Sequence, residues 1–255
     1  SEPGIDLIVR AFVNPGDCVL VEQSTFFPAL QTFRSADARI IGVPVDEHGM
    51  RTDLLDGYCA RFRPKLIYTV PTFQNPTGIT TGLAARREIY EIAKRHRLPI
   101  IEDNPYGELR FAGTDVPTIK SMDTEGLVIY CSTFSKILSA GMRVGFVVAP
   151  EEIVAKMVIA KQVEDVHTNQ FFQMLCHRYM TECDLNAHIE SIRAIYRRKC
   201  ALMLECLEKE LPNGLQWKVC VNTSVEYEDG KDMESYTEFY YKKTLKVPPR
   251  TAIVL

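Results

Sequence analysis

Five side chains in this 255-residue chain form a set that could do chemistry together. An amide stands at Asn75, within Pro71-Thr72-Phe73-Gln74-Asn75-Pro76-Thr77-Gly78. A carboxylate and a phenol stand at Asp103 and Tyr106, within Asp103-Asn104-Pro105-Tyr106. An amine at Lys136 closes Ser132-Thr133-Phe134-Ser135-Lys136, and a guanidinium follows seven residues later at Arg143. Few reactions want that set. Singly, each residue has a plainer reading: Asn75-Pro76-Thr77-Gly78 as a turn, Asp103 as a helix N-cap, Lys136 as one more exposed lysine. Position is what joins them. They fall at the ends of successive short apolar runs, and in a parallel α/β sheet ligands bind where the loops leave the carboxyl ends of the strands.

The elements that must position them are legible as an alternation. Apolar runs at 18–22, 39–45, 65–70, 99–103, 127–131 and 143–149 are rich in Val and Ile, several on consecutive rather than alternate positions. That pattern predicts strands covered on both faces. Helical segments lie between them, clearest over 83–97, where Leu83, Arg87, Ile89, Tyr90 and Ala93 give an amphipathic face. Turns at Asn14-Pro15-Gly16-Asp17 and Asp46-Glu47-His48-Gly49 punctuate the series. The fold class is therefore α/β, a mainly parallel sheet flanked by helices with right-handed crossovers. After Pro150 the pattern turns helical, over 151–161, 169–180 and 186–211. The last carries an apolar stripe through Ile189, Ile192, Ile195, Tyr196, Met203 and Leu207 that reads as core packing, and Pro212-Asn213-Gly214 stops it. The stretch 226–238 holds six acidic residues and one Lys and reads as a solvated loop. This divides the chain into a large domain over 1–150, connecting helices over 151–184 and a partial small domain over 185–255.

Composition excludes several classes. With 30 Lys and Arg against 33 Asp and Glu, 46% hydrophobic and 25% charged residues, the chain has an ordinary globular balance. It lacks the basic footprint of a nucleic-acid binder, and no apolar run reaches the roughly 20 residues of a membrane span. Ser1-Glu2-Pro3-Gly4 has no charged-then-apolar secretion signal. Eight cysteines without a Cys-x-x-Cys pair read as free thiols in a reducing, cytoplasmic compartment. Cys176, His177, Cys183 and His188 crowd one region, but their spacing matches no zinc pattern, so no metal is expected.

The motifs together resemble the fold type I pyridoxal-phosphate enzymes of aminotransferase class I/II. Val70 through Gly78 with Asp103-Asn104-Pro105-Tyr106 is similar to the kynurenine/2-aminoadipate aminotransferase subgroup, a likeness running from Ser1 to about Trp217. The resemblance implies pyridoxal 5'-phosphate as cofactor, attached covalently to Lys136, whose amine, once freed, takes the substrate's α-proton. It implies Asp103 at the pyridine nitrogen, Asn75 and Tyr106 at the phenolic oxygen, and Arg143, Thr133 and Ser135 at the phosphate. Ser1 and Glu2, leading into a helix over 5–12, fall at the phosphate turn, Glu2 through its backbone. Phe26, in Ser24-Thr25-Phe26-Phe27, falls where the family stacks an aromatic on the ring, and an ordinary core Phe is its plainer reading.

The resemblance implies amino-group transfer between an amino acid and a 2-oxo acid in a homodimer. A lyase using the same cofactor (β-elimination or carbon–sulfur cleavage), a ligand-sensing domain and a silent fragment remain alternatives. The family's segment before the phosphate turn is expected to be missing. So is its arginine for the substrate α-carboxylate, for which Arg250 is a poor match. The chain thus reads as truncated at both ends.

Overall fold

Residues 2–210 are described by the computed structural model, and in it the apolar runs become strands. They are β1 (Cys18–Glu22), β2 (Arg39–Val43), the two-residue β3 (Val45–Asp46) and β4 (Gly49–Met50), β5 (Leu66–Thr69), β6 (Ile100–Asp103), β7 (Val128–Thr133) and β8 (Gly145–Val148). Six of them form one sheet in the order β2-β1-β5-β6-β7-β8. All neighbours are parallel except β8, which runs antiparallel to β7. Every position of β1, β5 and β6 is buried, which is why these runs are not cleanly alternating.

Side chains nevertheless alternate between two cores. Val19, Val21, Leu66 and Tyr68 face one; Leu20 and Ile67 face the other. The helices are α1 (Glu2–Phe12), α2 (Phe27–Ser35), α3 (Thr52–Phe62), α4 (Leu83–His96) and α5 (Glu151–Glu164), followed by α6 (Gln170–Glu182) and α7 (Leu185–Glu210). Ile5 and Ile8 of α1, Leu30 and Phe33 of α2 and Met157 of α5 close the first core. Leu55 and Cys59 of α3 and Ile89, Ile92 and Ala93 of α4 close the second. The result is a helix–sheet–helix sandwich.

Four differences from the expected elements have physical causes. The run 39–45 breaks after Val43 and turns into the β3–β4 hairpin. There Gly49 takes φ +107°, and a Cβ would come within 2.3 Å of Thr81 Oγ1. Helix α1 starts at Glu2 rather than residue 5, because proline is tolerated in a first turn whose N–H groups have no partner inside the helix. On α4 the buried arginine is Arg86, not Arg87. The stripe on α7 is not a core: Ile189 is buried, but Ile195, Tyr196 and Met203 are exposed.

Arg86 shows how a cation is kept in an interior. Its Nε donates to Thr81 O at 2.8 Å, Nη2 to Pro71 O at 2.7 Å and Thr72 Oγ1 at 2.8 Å, and Nη1 to Pro117 O at 3.1 Å. Burial still lowers its pKa to about 10, partly offset by the charge of Glu102. One guanidinium thus ties both ends of the loop between β5 and α4 to the segment before β7.

Among the described residues no helix is long and apolar enough to cross a membrane. Cys18, Cys59, Cys131 and Cys176 are buried free thiols. Ser1, the stop at 212–214, Cys220, the acidic stretch 226–238 and Arg250 lie outside the described residues.

Candidate active site

The chain enters the sheet at β1, steps outward to β2 and returns on the other side of β1 as β5. That reversal opens a crevice at the carboxyl ends of the strands. Asp103 is the last residue of β6 and 1% exposed, with Oδ2 accepting a 2.9 Å hydrogen bond from the Tyr68 phenol of β5. Burial, reinforced by the Asp103 charge, holds the Tyr68 phenol well above its ordinary value, so it remains a donor.

The loop after β5 carries Asn75, whose bond to Pro76 is cis. It is pinned by Gln74 N–H to Ile79 O at 2.8 Å and Thr81 N–H to Pro71 O at 2.9 Å. The Gln74 side chain accepts from Thr77 N–H at 2.9 Å and from the Thr77 hydroxyl at 2.6 Å. Asn75 Nδ2 reaches the Tyr106 phenol at 3.4 Å. Burial raises the Tyr106 pKa, the Asn75 contact lowers it, and the Asp103 charge raises it, for a net rise. The Lys136 ammonium lies 5.7 Å from the centroid of the Tyr106 ring.

Lys136 and Arg143 share the connection between β7 and β8. Because β8 is antiparallel, its first residues stand beside the last residues of β7, Thr133 opposite Gly145. Arg143 therefore reaches the same edge of the sheet although it precedes its strand. It holds a left-handed φ of +53°, sparsely populated for residues other than Gly, Asn and Asp. Ser132 and Thr133, expected just past the strand, belong to β7 itself. The Thr133 hydroxyl donates to Val144 O at 3.1 Å, accepts from Ser135 N–H at 3.1 Å and lies 3.0 Å from Ser135 Oγ. Helix α7 braces this edge from two sides: His188 Nε2 is 2.9 Å from Ile137 O, and Arg193 Nε donates to Glu108 O at 2.7 Å.

These groups line one cavity of about 150 Å³. Its wall comprises Asn75, Asp103, Tyr106, Thr133, Ser135, Lys136 and Arg143, with Glu2, Phe26, Val70 and Pro105. Every expected site residue within 2–210 is thus on it; Ser1 is outside the described residues. Phe26 both lines the cavity and packs partly buried on the first core, so its two readings are not exclusive. A neighbouring cavity of about 450 Å³ shares Thr133, Ser135 and Arg143 and extends between α1, β8 and α5.

Sequence reasoning missed the layer behind the wall: Tyr68, Gln74 and Glu22. Glu22 ends β1 and is 1% exposed, yet its carboxylate accepts from Thr69, Val70, Gln74 and Thr25. Burial pushes its pKa up, against the pull of those bonds. A signal was available, since a carboxylate closing the all-buried run 18–22 must be satisfied internally.

Comparisons with known proteins identify the family. The chain is 41% identical over 222 residues to aromatic-amino-acid aminotransferase 1 of Thermococcus litoralis, covering 85% of this chain and 53% of that protein. It is 37% identical over 220 residues to the 2-aminoadipate transaminase of Thermus thermophilus, covering 85% and 55%. The crystal structure of Pyrococcus horikoshii kynurenine aminotransferase superposes with a TM-score of 0.81 at 41% identity, over 85% of this chain and 55% of that one. The chain therefore spans about half the length of these relatives. The pattern of aminotransferase class I and II matches residues 1–209, and the chain belongs to that family.

Proposed function

We propose that the cavity holds pyridoxal 5'-phosphate and that the protein transfers an amino group between an amino acid and a 2-oxo acid. One observation carries this reading: a buried carboxylate, an amide–phenol pair, an amine, and a hydroxyl–guanidinium cluster all line one cavity. That donor set fits the group, with an anion for a ring nitrogen, donors for a phenolic oxygen, an amine for an aldehyde and a cation for a phosphate. When bound, the cofactor supplies an electron sink for the substrate's α-carbon.

The chain's own residues do the rest. Asp103 keeps a proton on the ring nitrogen by opposite-charge attraction, and Tyr68 holds Asp103 in place. Asn75 and Tyr106 donate to the phenolic oxygen. Lys136 would hold the cofactor through its amine, and that amine would take the proton from the substrate's α-carbon and return it. Arg143 offers a two-pronged donor to the phosphate, next to the hydroxyls of Ser135 and Thr133 and the α1 N-terminus at Glu2. Phe26 supplies an apolar wall.

The division into a cofactor-binding unit over 1–150, connecting helices over 151–184 and a small domain over 185–255 is part of the proposal, supported by the sheet's ending at Val148. So are a cytoplasmic location, supported by buried free thiols, and a homodimer, supported by exposed Val158, Ile159, Phe171 and Met174 on α5 and α6.

Lys136→Ala tests the core of the reading. With cofactor added, the unaltered chain shows a near-visible absorbance that a panel of amino donors discharges, and the variant shows neither. A variant that keeps both overturns the assignment.

A further inference from the structure

The buried carboxylate of Glu22 has no part in the chemistry above, yet its bonds converge on the cavity wall. Oε1 accepts from the Thr69 hydroxyl at 2.6 Å and from Val70 N–H at 3.1 Å. Oε2 accepts from Gln74 Nε2 at 3.0 Å and from the Thr25 hydroxyl at 3.3 Å. Val70 is itself a wall residue, Gln74 directly precedes Asn75, and Thr25 directly precedes Phe26. Gln74 Nε2 also donates to Ser24 O, closing a ring between the turn after β1 and the loop after β5. A single acid therefore cross-links the turn after β1, which presents Phe26, to the loop after β5, which presents Val70 and Asn75.

We infer that Glu22 is a positioning residue for the cofactor ring, fixing Asn75 and Phe26 in one arrangement through Gln74 and Thr25. The inference rests on the cofactor reading above. Both oxygens of Glu22 face an N–H donor, and only a carboxylate offers two acceptor atoms. A glutamine of the same shape has one. Whichever way it turns, its amide nitrogen meets either Val70 N–H or the Gln74 amide, donor against donor. The wall must then shift. Asn75 would lose its aim at the phenolic oxygen, whose charged form it favours, so the lysine-bound cofactor would hold its proton to higher pH.

The test uses the full chain with Glu22→Gln, which leaves the Gln74–Thr77 bonds in place, and separately Gln74→Met, which leaves the buried acid in place but removes both its tie to Asn75 and those bonds. In both, the near-visible band persists while its pH midpoint moves up by about 0.5 unit or more. In cofactor-free protein, amide hydrogen exchange at 74–78 quickens about tenfold or more while β6 and β7 stay protected. A merely destabilised protein would bind less cofactor without moving the midpoint. Midpoints within about 0.2 unit of the unaltered chain in both variants would overturn the inference, as would unchanged exchange at 74–78. Absence of the band from the unaltered chain would instead count against the cofactor reading, and the exchange measurement then decides alone whether Glu22 orders the loop.

Discussion

Tyr68 occupies a strand position that any pattern reader would assign to the core, and it is there: fully buried, edge-on to Phe33 at 5.7 Å. Its hydroxyl also reaches Asp103, so the ring packs while the oxygen orients an acid. Tyr68→Phe keeps the packing and removes the donor. It is expected to lower kcat about tenfold, equivalent to ~1.4 kcal/mol of transition-state stabilisation, while the near-visible band is retained; steady-state turnover beside an absorbance spectrum checks it. The contrast with Lys136 or Asn75 explains what was legible at this scale. Residues that line the cavity, such as Lys136 and Asn75, sit at strand ends, in polar stretches that stand out from apolar neighbours. Residues that act through another side chain, such as Tyr68, Gln74 and Glu22, sit inside or beside buried runs, where a lone polar atom changes composition very little.

Secondary-structure elements carry their own electrostatics. Asp123, 1% exposed at its side chain, accepts from Leu127 N–H and Val128 N–H at 3.0 Å and from Lys120 Nζ at 2.9 Å, and so fixes the entry to β7. Burial works to raise its pKa, but Lys120 and the two backbone donors outweigh it and hold the carboxyl below its ordinary 3.8. A depressed value means that the folded state binds this proton less readily than the unfolded chain. Its stabilisation is then complete above 3.8 and lost as pH falls through the lower folded value. Asp123→Asn is expected to flatten the decline in urea stability below pH 4, and parallel curves for the two proteins would refute that. The extents of α4 and β1 were readable, α4 from its amphipathic face and β1 from an apolar run that follows the turn at 14–17. The antiparallel run of β8 was not, since an apolar run carries no direction. Nor was the β3–β4 hairpin, which depends on the approach of Gly49 to Thr81.

At the scale of the molecule, the inner strands β1, β5 and β6 bury their apolar content fully while β8 and the helices after it do not. Val163 is 84% exposed, Phe171 68% and Val166 67%, and the α7 stripe reads as core in sequence because periodicity shows a face without naming what covers it. If the proposed homodimer is correct, sedimentation equilibrium at micromolar concentration gives twice the chain mass, and a single-chain mass across that range would refute it. The reversed final strand has one further effect. By folding back, β8 leaves the amine and the guanidinium on one short excursion, 134–144, clamped at both ends by the Phe134–Val144 and Thr133–Val144 hydrogen bonds. That excursion works as a ruler between the two grips a bound molecule would feel. A residue inserted there changes the span between them, whereas the same insertion on the exposed 112–115 stretch leaves it untouched.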